Sequence, residues 1–391
     1  MLINDIGVKK MKRNIGIDYI YRFLSSFDIT AAIWVLFLAY KGMTLIEIGL
    51  LESIYHSCNL IFEIPTGAMA DLLGRKKMII LSRLAAMISS IVLLVSQSFV
   101  GFAIGFIFSA FSGNLNSGSE EALVYDSFIS IDQTEEYLTF NSRLNVLIEV
   151  AQALAVFIGG LLAEVSFELS YMIAILMAIG ALSVALQFKE PMIHETQECL
   201  SVKDHFQQCC IMMKLNRRLL AMLLYFPLMM TFTTVIYFYA QAYFSDFSYS
   251  KSTISFIFLV NGLVSALGAL LAEKVERWCQ GKAWLFVPLS MSVMICIFGY
   301  VEAKVAIFVF YLINFLSASL YPISSVYVNE ETPSEKRATI ISVSSMMFSL
   351  MMILIFPFCG WLGERVGLAQ AFQVIGLLNL LIVGTIALIR K

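Results

Sequence analysis

The chain has 391 residues, of which 59% are hydrophobic and 14% charged, with 26 Lys and Arg against 28 Asp and Glu. Its mean hydropathy is +0.83, whereas a soluble domain carries about 45–50% apolar and about 25% charged residues. This composition excludes a soluble globular enzyme and, lacking any basic domain, a nucleic-acid-binding protein; it is that of an integral membrane protein.

The N-terminal arm carries Lys9, Lys10, Lys12 and Arg13 ahead of an apolar run that contains Arg22 and Asp28. That run is long and shows no small-residue cleavage site, so it reads as an uncleaved first span rather than a signal peptide. Apolar stretches follow at 16–39, 45–66, 77–97, 99–124, 143–164, 168–188, 218–242, 253–273, 283–301, 304–328, 338–361 and 366–389. Each approaches the length of about 20 residues that a spanning helix needs. Twelve spans put both termini on one side. With that side inside, the inner segments hold 20 of the 26 cations, and the outer loops hold only Lys41, Lys251, Lys304 and Arg365. The bias sets both termini in the cytoplasm.

The longest polar stretch separates six spans from six. It defines an N-terminal bundle over 1–188, a cytoplasmic linker over 189–217 and a C-terminal bundle over 218–391. An amphipathic piece from Leu200 to Leu215 suits a surface helix, and His194 and His205 within it read as solvated. The seven cysteines are scattered without any C-x-x-C and read as packing residues. No P-loop, no metal-spaced His/Cys cluster and no cytoplasmic domain large enough for chemistry is present, so neither an enzyme nor a cofactor or metal site is expected.

The two halves echo each other. Asp71 precedes Arg75 by four residues after the second stretch, and Glu273 precedes Arg277 by four after the eighth, 202 residues later. Tyr125-Asp126 corresponds loosely to Asn329-Glu330. Between the second and third stretches the chain reads G-A-M-A-D-L-L-G-R-K-K, Gly67 to Lys77. Gly67, Asp71, Gly74, Arg75 and Lys76 match in register the loop signature G-x-x-x-D-x-x-G-R-[RK], and on these residues the chain resembles the major facilitator superfamily over essentially its whole length. The resemblance implies an all-α membrane protein with 12 transmembrane helices in two six-helix bundles, working as a monomer in a bacterial-type cell membrane. It implies a conformational latch formed by Gly67, Asp71, Gly74, Arg75 and Lys76, with Glu120 as a further partner. The stretches S-G-S-E-E-A-L-V-Y-D-S-F (Ser117 to Phe128) and Tyr321 to Thr339 resemble bacterial drug and antibiotic efflux members. The chain departs from proton-coupled drug antiporters in two places. Phe106 to Gly118 contains no arginine, and only Gly159 and Gly160 survive of the G-P-x-x-G-G pattern on the fifth span.

Ionisable groups at bilayer depth are costly, by about 2.5–3.5 kcal/mol each on insertion scales, and are functional candidates by default. On the second span Glu52, His56, Asn59 and Glu63 fall at i, i+4, i+7 and i+11, one narrow polar stripe. Glu52 with His56 is a candidate proton-binding pair, because histidine changes charge near neutral pH. Asp28, about midway along the first span, and Glu121 and Glu149 are further candidates for proton coupling. Arg22, Asn59, Glu63, Tyr237, Tyr239, Asn261 and Asn314 are the candidate substrate-cavity residues. The second half has almost no deep charge and is rich in aromatics, which suit flat or cationic organic molecules. The expected function is proton-coupled export of amphipathic organic compounds by alternating access, with a small-molecule substrate and protons as partners. The alternative is a proton-coupled or facilitative importer of a small metabolite.

Overall fold

The computed structural model describes residues 2–191, 216–332 and 337–389 and is helical throughout these segments. The linker with its amphipathic piece, His194 and His205 lies outside the described residues. Among the described residues nine helices are long and apolar enough to cross a membrane, and ten if the pair α11 (Ala272–Trp278) and α12 (Ala283–Phe298), bent by 100°, counts as one span. Reaching twelve requires the first two apolar stretches as well, and both carry ionisable residues inside their apolar runs.

The first stretch is not one helix. α1 (Leu2–Ser26) stops, the chain turns through 27–33, and a short α2 (Trp34–Tyr40) resumes. Asp28 makes the break: its Oδ1 accepts from the Thr30 amide at 2.9 Å and the Thr30 hydroxyl at 2.7 Å, a local turn that competes with helical bonding. Gly159, on α7 (Tyr137–Val165), makes room for it, because a Cβ at that position would overlap the Ile29 carbonyl. The fourth stretch breaks too. α5 (Phe99–Asn116) ends before Gly118, whose φ of 71° ordinary side chains resist, and α6 (Ser119–Ile129) begins there with Glu120 and Glu121 in its first turn.

The chain divides into two compact units. Unit 1 takes the chain up to Trp34 and from Ile54 through α3 (Leu45–Leu73), α4 (Arg75–Val95), α5, α6, α7 and α8 (Phe167–Ala185). Within it α4 packs on α5 and α8, and α1 packs on α6, α7 and α8. Its ring core joins Tyr21, Phe128, Phe140 and Phe188. Ser166 caps α8 by accepting from the Leu169 amide.

Unit 2 contains α9 (Arg217–Asp246), α10 (Lys251–Leu270), α11, α12, α13 (Ala303–Glu330), α14 (Arg337–Val366) and α15 (Leu368–Ile389). It also takes Val35–Ser53, a hairpin that the sequence reading assigns to the first bundle. The hairpin is fastened to α9 and α14. Tyr239 donates its hydroxyl to the Leu45 carbonyl at 2.8 Å, the Val35 amide donates to Gln241 at 3.2 Å, and the Ile46 amide donates to Glu364 at 2.7 Å. Ser53 donates to the Ile353 carbonyl at 2.8 Å. Gly49 sits against Pro357, whose Cα would lie 2.6 Å from any added Cβ. The centre of unit 2 is a lattice of rings, with Tyr243, Phe298 and Phe372 within 4.9–5.3 Å of one another between centroids.

Candidate functional site

The two helix breaks of unit 1 bring charge together. On α1, Asp18, Tyr21 and Arg22 fall at i, i+3 and i+4 and so share a face. Asp18 and Glu120 are each only 1% exposed, and Tyr21 is fully buried. Arg22 pairs through Nε with Glu120, and its Nη2 lies 3.6 Å from the exposed Glu121. Asn116 donates to Glu120 at 3.0 Å, and Tyr21 donates its hydroxyl to Asn116 at 3.0 Å. Asp18 interacts with the Glu120 carboxyl, yet its Oδ1 is buried with no hydrogen-bond partner. Such an orphaned acceptor is costly unless it takes a proton or a ligand. The sequence offers Arg22 for a cavity wall or as partner to an acid on another span, and Glu120 for the latch or for proton coupling; here the two pair with each other. The sequence reading overlooked Asp18, although the i, i+4 spacing to Arg22 inside an apolar run was a visible signal.

Beside the cluster, unit 1 has a half-open cavity of about 320 Å³ lined by α1, α3, α4, α5 and α8. Asp28 and Arg83 face it, among hydroxyls from Ser89, Ser90, Ser109 and Tyr171. Asp28 therefore stands at a helix break on a cavity wall, not in the middle of a continuous span. Arg83 donates to the Ser82 hydroxyl at 2.9 Å and lies over the Tyr21 ring at 5.7 Å, while its Nε is buried without a hydrogen-bond partner.

The polar stripe on α3 is dispersed along the helix. Glu52 and His56 are buried, His56 sits edge-on to Tyr55 at 5.4 Å, Asn59 accepts from Asn114 at 2.8 Å, and Glu63 is exposed. Glu149 is exposed on α7. In the loop signature Gly74 adopts φ 83°, Arg75 pairs with Asp126 at the end of α6, and it also donates to the Ala122 carbonyl at 2.6 Å. Glu190 accepts from the Arg75 and Lys76 amides, each at 2.8 Å, capping the positive end of α4. The surroundings of Gly67 and the side chain of Asp71 lie outside the described residues.

In unit 2 a pocket of about 460 Å³ is lined by Phe226, Met230, Tyr321 and Phe348 with the hydroxyls of Ser344 and Ser349. The four residues expected on a cavity wall in this half do not line this pocket. Tyr237 packs on Phe258 and Phe310 at 4.9 and 6.2 Å, Tyr239 holds the hairpin, and Asn314 bonds its own helix at Phe310. Asn261 is buried with an unpartnered Oδ1. Helical periodicity turns these side chains toward neighbouring helices, which the sequence pattern alone does not distinguish from facing a cavity.

The family model described as Major Facilitator Superfamily matches residues 19–355 and 221–390. The chain is 22% identical over 366 residues to an uncharacterized MFS-type transporter, YxaM, of Bacillus subtilis (strain 168), covering 90% of each. Its fold is similar to that of the nucleoside transporter NupG, with a TM-score of 0.79 at 13% identity over 97% of this chain and 99% of that one. It is similar also to a bacterial homolog of the human lysosomal transporter Spinster, in an inward-facing and unoccupied conformation, with a TM-score of 0.74 at 13% identity over 97% and 95%. For a D-xylose–proton symporter the TM-score is 0.65 at 15% identity over 97% and 96%. At these identities the likeness to solved structures is one of fold.

Proposed function

The chain belongs to the major facilitator superfamily of membrane transporters, and on that premise we propose that it is a proton-coupled exporter of amphipathic organic compounds working by alternating access. The observation that carries the coupling is Asp18, buried with an unpartnered carboxyl oxygen beside the Arg22–Glu120 pair. A proton on Asp18 satisfies that oxygen's neighbourhood, and losing it leaves a second buried carboxylate next to Glu120. Coupling follows if the two conformers of the transporter hold this proton with different affinity. Asp28 and the Glu52/His56 pair are further sites at which a proton could bias the same equilibrium. The ring-lined pocket of unit 2 supports an organic substrate with an apolar body. A metabolite importer is the second reading, favoured by the absence of both antiporter patterns on the fourth and fifth spans.

The test uses proteoliposomes with an acidic lumen and a trapped pH probe, to which a panel of lipophilic cations, antibiotics and small metabolites is added. Export by antiport predicts substrate-evoked loss of luminal protons in the wild type, and its loss in D18N with substrate exchange retained. Substrate flux that moves no protons would sink the coupling, and unchanged proton movement in D18N would remove Asp18 from it.

A further inference from the structure

Arg83 is a guanidinium inside a span, on α4, and among the described residues no carboxylate lies within ion-pair distance of it. The acid of the neighbouring cluster, Glu120, is already taken by Arg22. Arg83 keeps one hydroxyl, one ring face and a longer-range attraction to Glu120, while its buried Nε bonds nothing. On the same cavity wall Asp28 spends Oδ1 on the Thr30 turn, and its other oxygen takes no hydrogen bond from a described residue. These are the two charged residues that line the cavity, of opposite sign and not paired with each other. Arg83, within a span, carries a desolvation cost that an ion pair would reduce. Asp28 lines the same cavity, yet no ion pair joins the two, and serine and tyrosine hydroxyls line it with them.

The complement of such a cavity is a solute that carries both charges itself. We propose that the cavity of unit 1 binds a zwitterionic organic solute, its carboxylate on Arg83 and its ammonium on Asp28. Arg83 presents a planar fork of donors that matches a carboxylate bidentately. Asp28, as an acceptor, suits an ammonium, and the Ser89 and Ser90 hydroxyls, which donate to the Gly105 and Ala86 carbonyls, can still accept from whatever joins the two ends. A volume of about 320 Å³ fits a body of amino-acid or small-peptide size. The inference rests on the transporter reading and narrows its substrate class, from amphipathic compounds in general to those with both charges.

The test measures thermal unfolding of the purified full chain in lipid nanodiscs across γ-aminobutyrate, ε-aminocaproate and glycylglycine, with butylamine and butyrate as single-charge controls. At least one zwitterion should raise the melting temperature saturably, with both controls weaker by about tenfold or more, since each loses one charge-assisted hydrogen bond. R83Q and D28N should each weaken zwitterion binding by about tenfold or more, and R83K and D28E should restore part of it, which separates lost recognition from lost folding. Binding of butylamine as tight as that of the zwitterions would reduce the cavity to a cation site and overturn the proposal. So would the failure of all three zwitterions to bind, or binding that survives both neutral substitutions. The vesicle assay keeps the two readings apart. A wild type that moves other solutes while ignoring zwitterions loses only the cavity assignment, whereas a wild type that moves no solute at all loses the transport reading.

Discussion

Unit 1 and unit 2 repeat one arrangement with different chemistry. In unit 1 the corner between α3 and α4 is tied to the end of α6 by an ion pair, Arg75 with Asp126. In unit 2 the corner between α11 and α12 is tied to the end of α13 by a phenol. Tyr327 donates to Glu276 at 2.6 Å and sits 2.9 Å from the Gly281 carbonyl. The centres differ in the same way, with Arg22, Glu120 and Asp18 in unit 1 and the rings of Tyr243, Phe298 and Phe372 in unit 2. A repeat thus preserves where a tie is made and leaves its chemistry free. The tie in unit 1 joins two opposite charges, whereas that in unit 2 joins a neutral phenol to one carboxylate, so salt screens the first more than the second.

Six single substitutions and one double variant sharpen that contrast, all read by thermal or denaturant unfolding of the purified protein. F298A empties the ring lattice of unit 2 and should cost about 4 kcal/mol, at every pH. E120Q strands Arg22 in a buried site and should cost about 3 kcal/mol, while an R22M/E120M double variant should recover most of the loss because an apolar pair removes both desolvation terms. A double variant as unstable as the single would show that the cluster is held by shape and not by charge. G49A drives a Cβ against Pro357 and should cost about 2 kcal/mol through overpacking, with no effect on unit 1. At the corners, D126N and Y327F should each cost about 1 kcal/mol, and only the D126N difference should shrink in high salt. E273Q should change stability by less than about 0.5 kcal/mol, because Glu273 and Arg277 are 3.6 Å apart and exposed.

The last of these bears on what the sequence could disclose. The helices, the apolar runs and the family signature were legible because period and composition act over many residues. The 202-residue echo was legible as spacing, but not as contact. Arg75 pairs with Asp126 across 51 residues, whereas its echo, Arg277, merely faces Glu273 one turn away. Asp28 announced itself as an acid in a span and proved to be the cause of that span's interruption, since an Asx turn needs only its own neighbours. The spacing of Asp18 to Arg22 was visible, but its other partner, Glu120, comes from α6, and nothing local reports which helices meet. The polar residues of unit 2 make a related point. Tyr239 and Asn314 satisfy backbone carbonyls, a use that composition cannot separate from ligand contact.

The hairpin that unit 2 takes from early in the chain has a consequence for inheritance. Except at Ser53, its fastening bonds use main-chain atoms of the hairpin, at Val35, Leu45 and Ile46, while the side chains that meet them belong to Tyr239, Gln241 and Glu364. Backbone atoms are the same in every sequence. Recombination that grafts a foreign hairpin here, keeping a glycine at position 49, would still present the groups that the later helices hold. Exchanging those helices instead would remove the holder. The joint is therefore permissive to change on one side and exacting on the other.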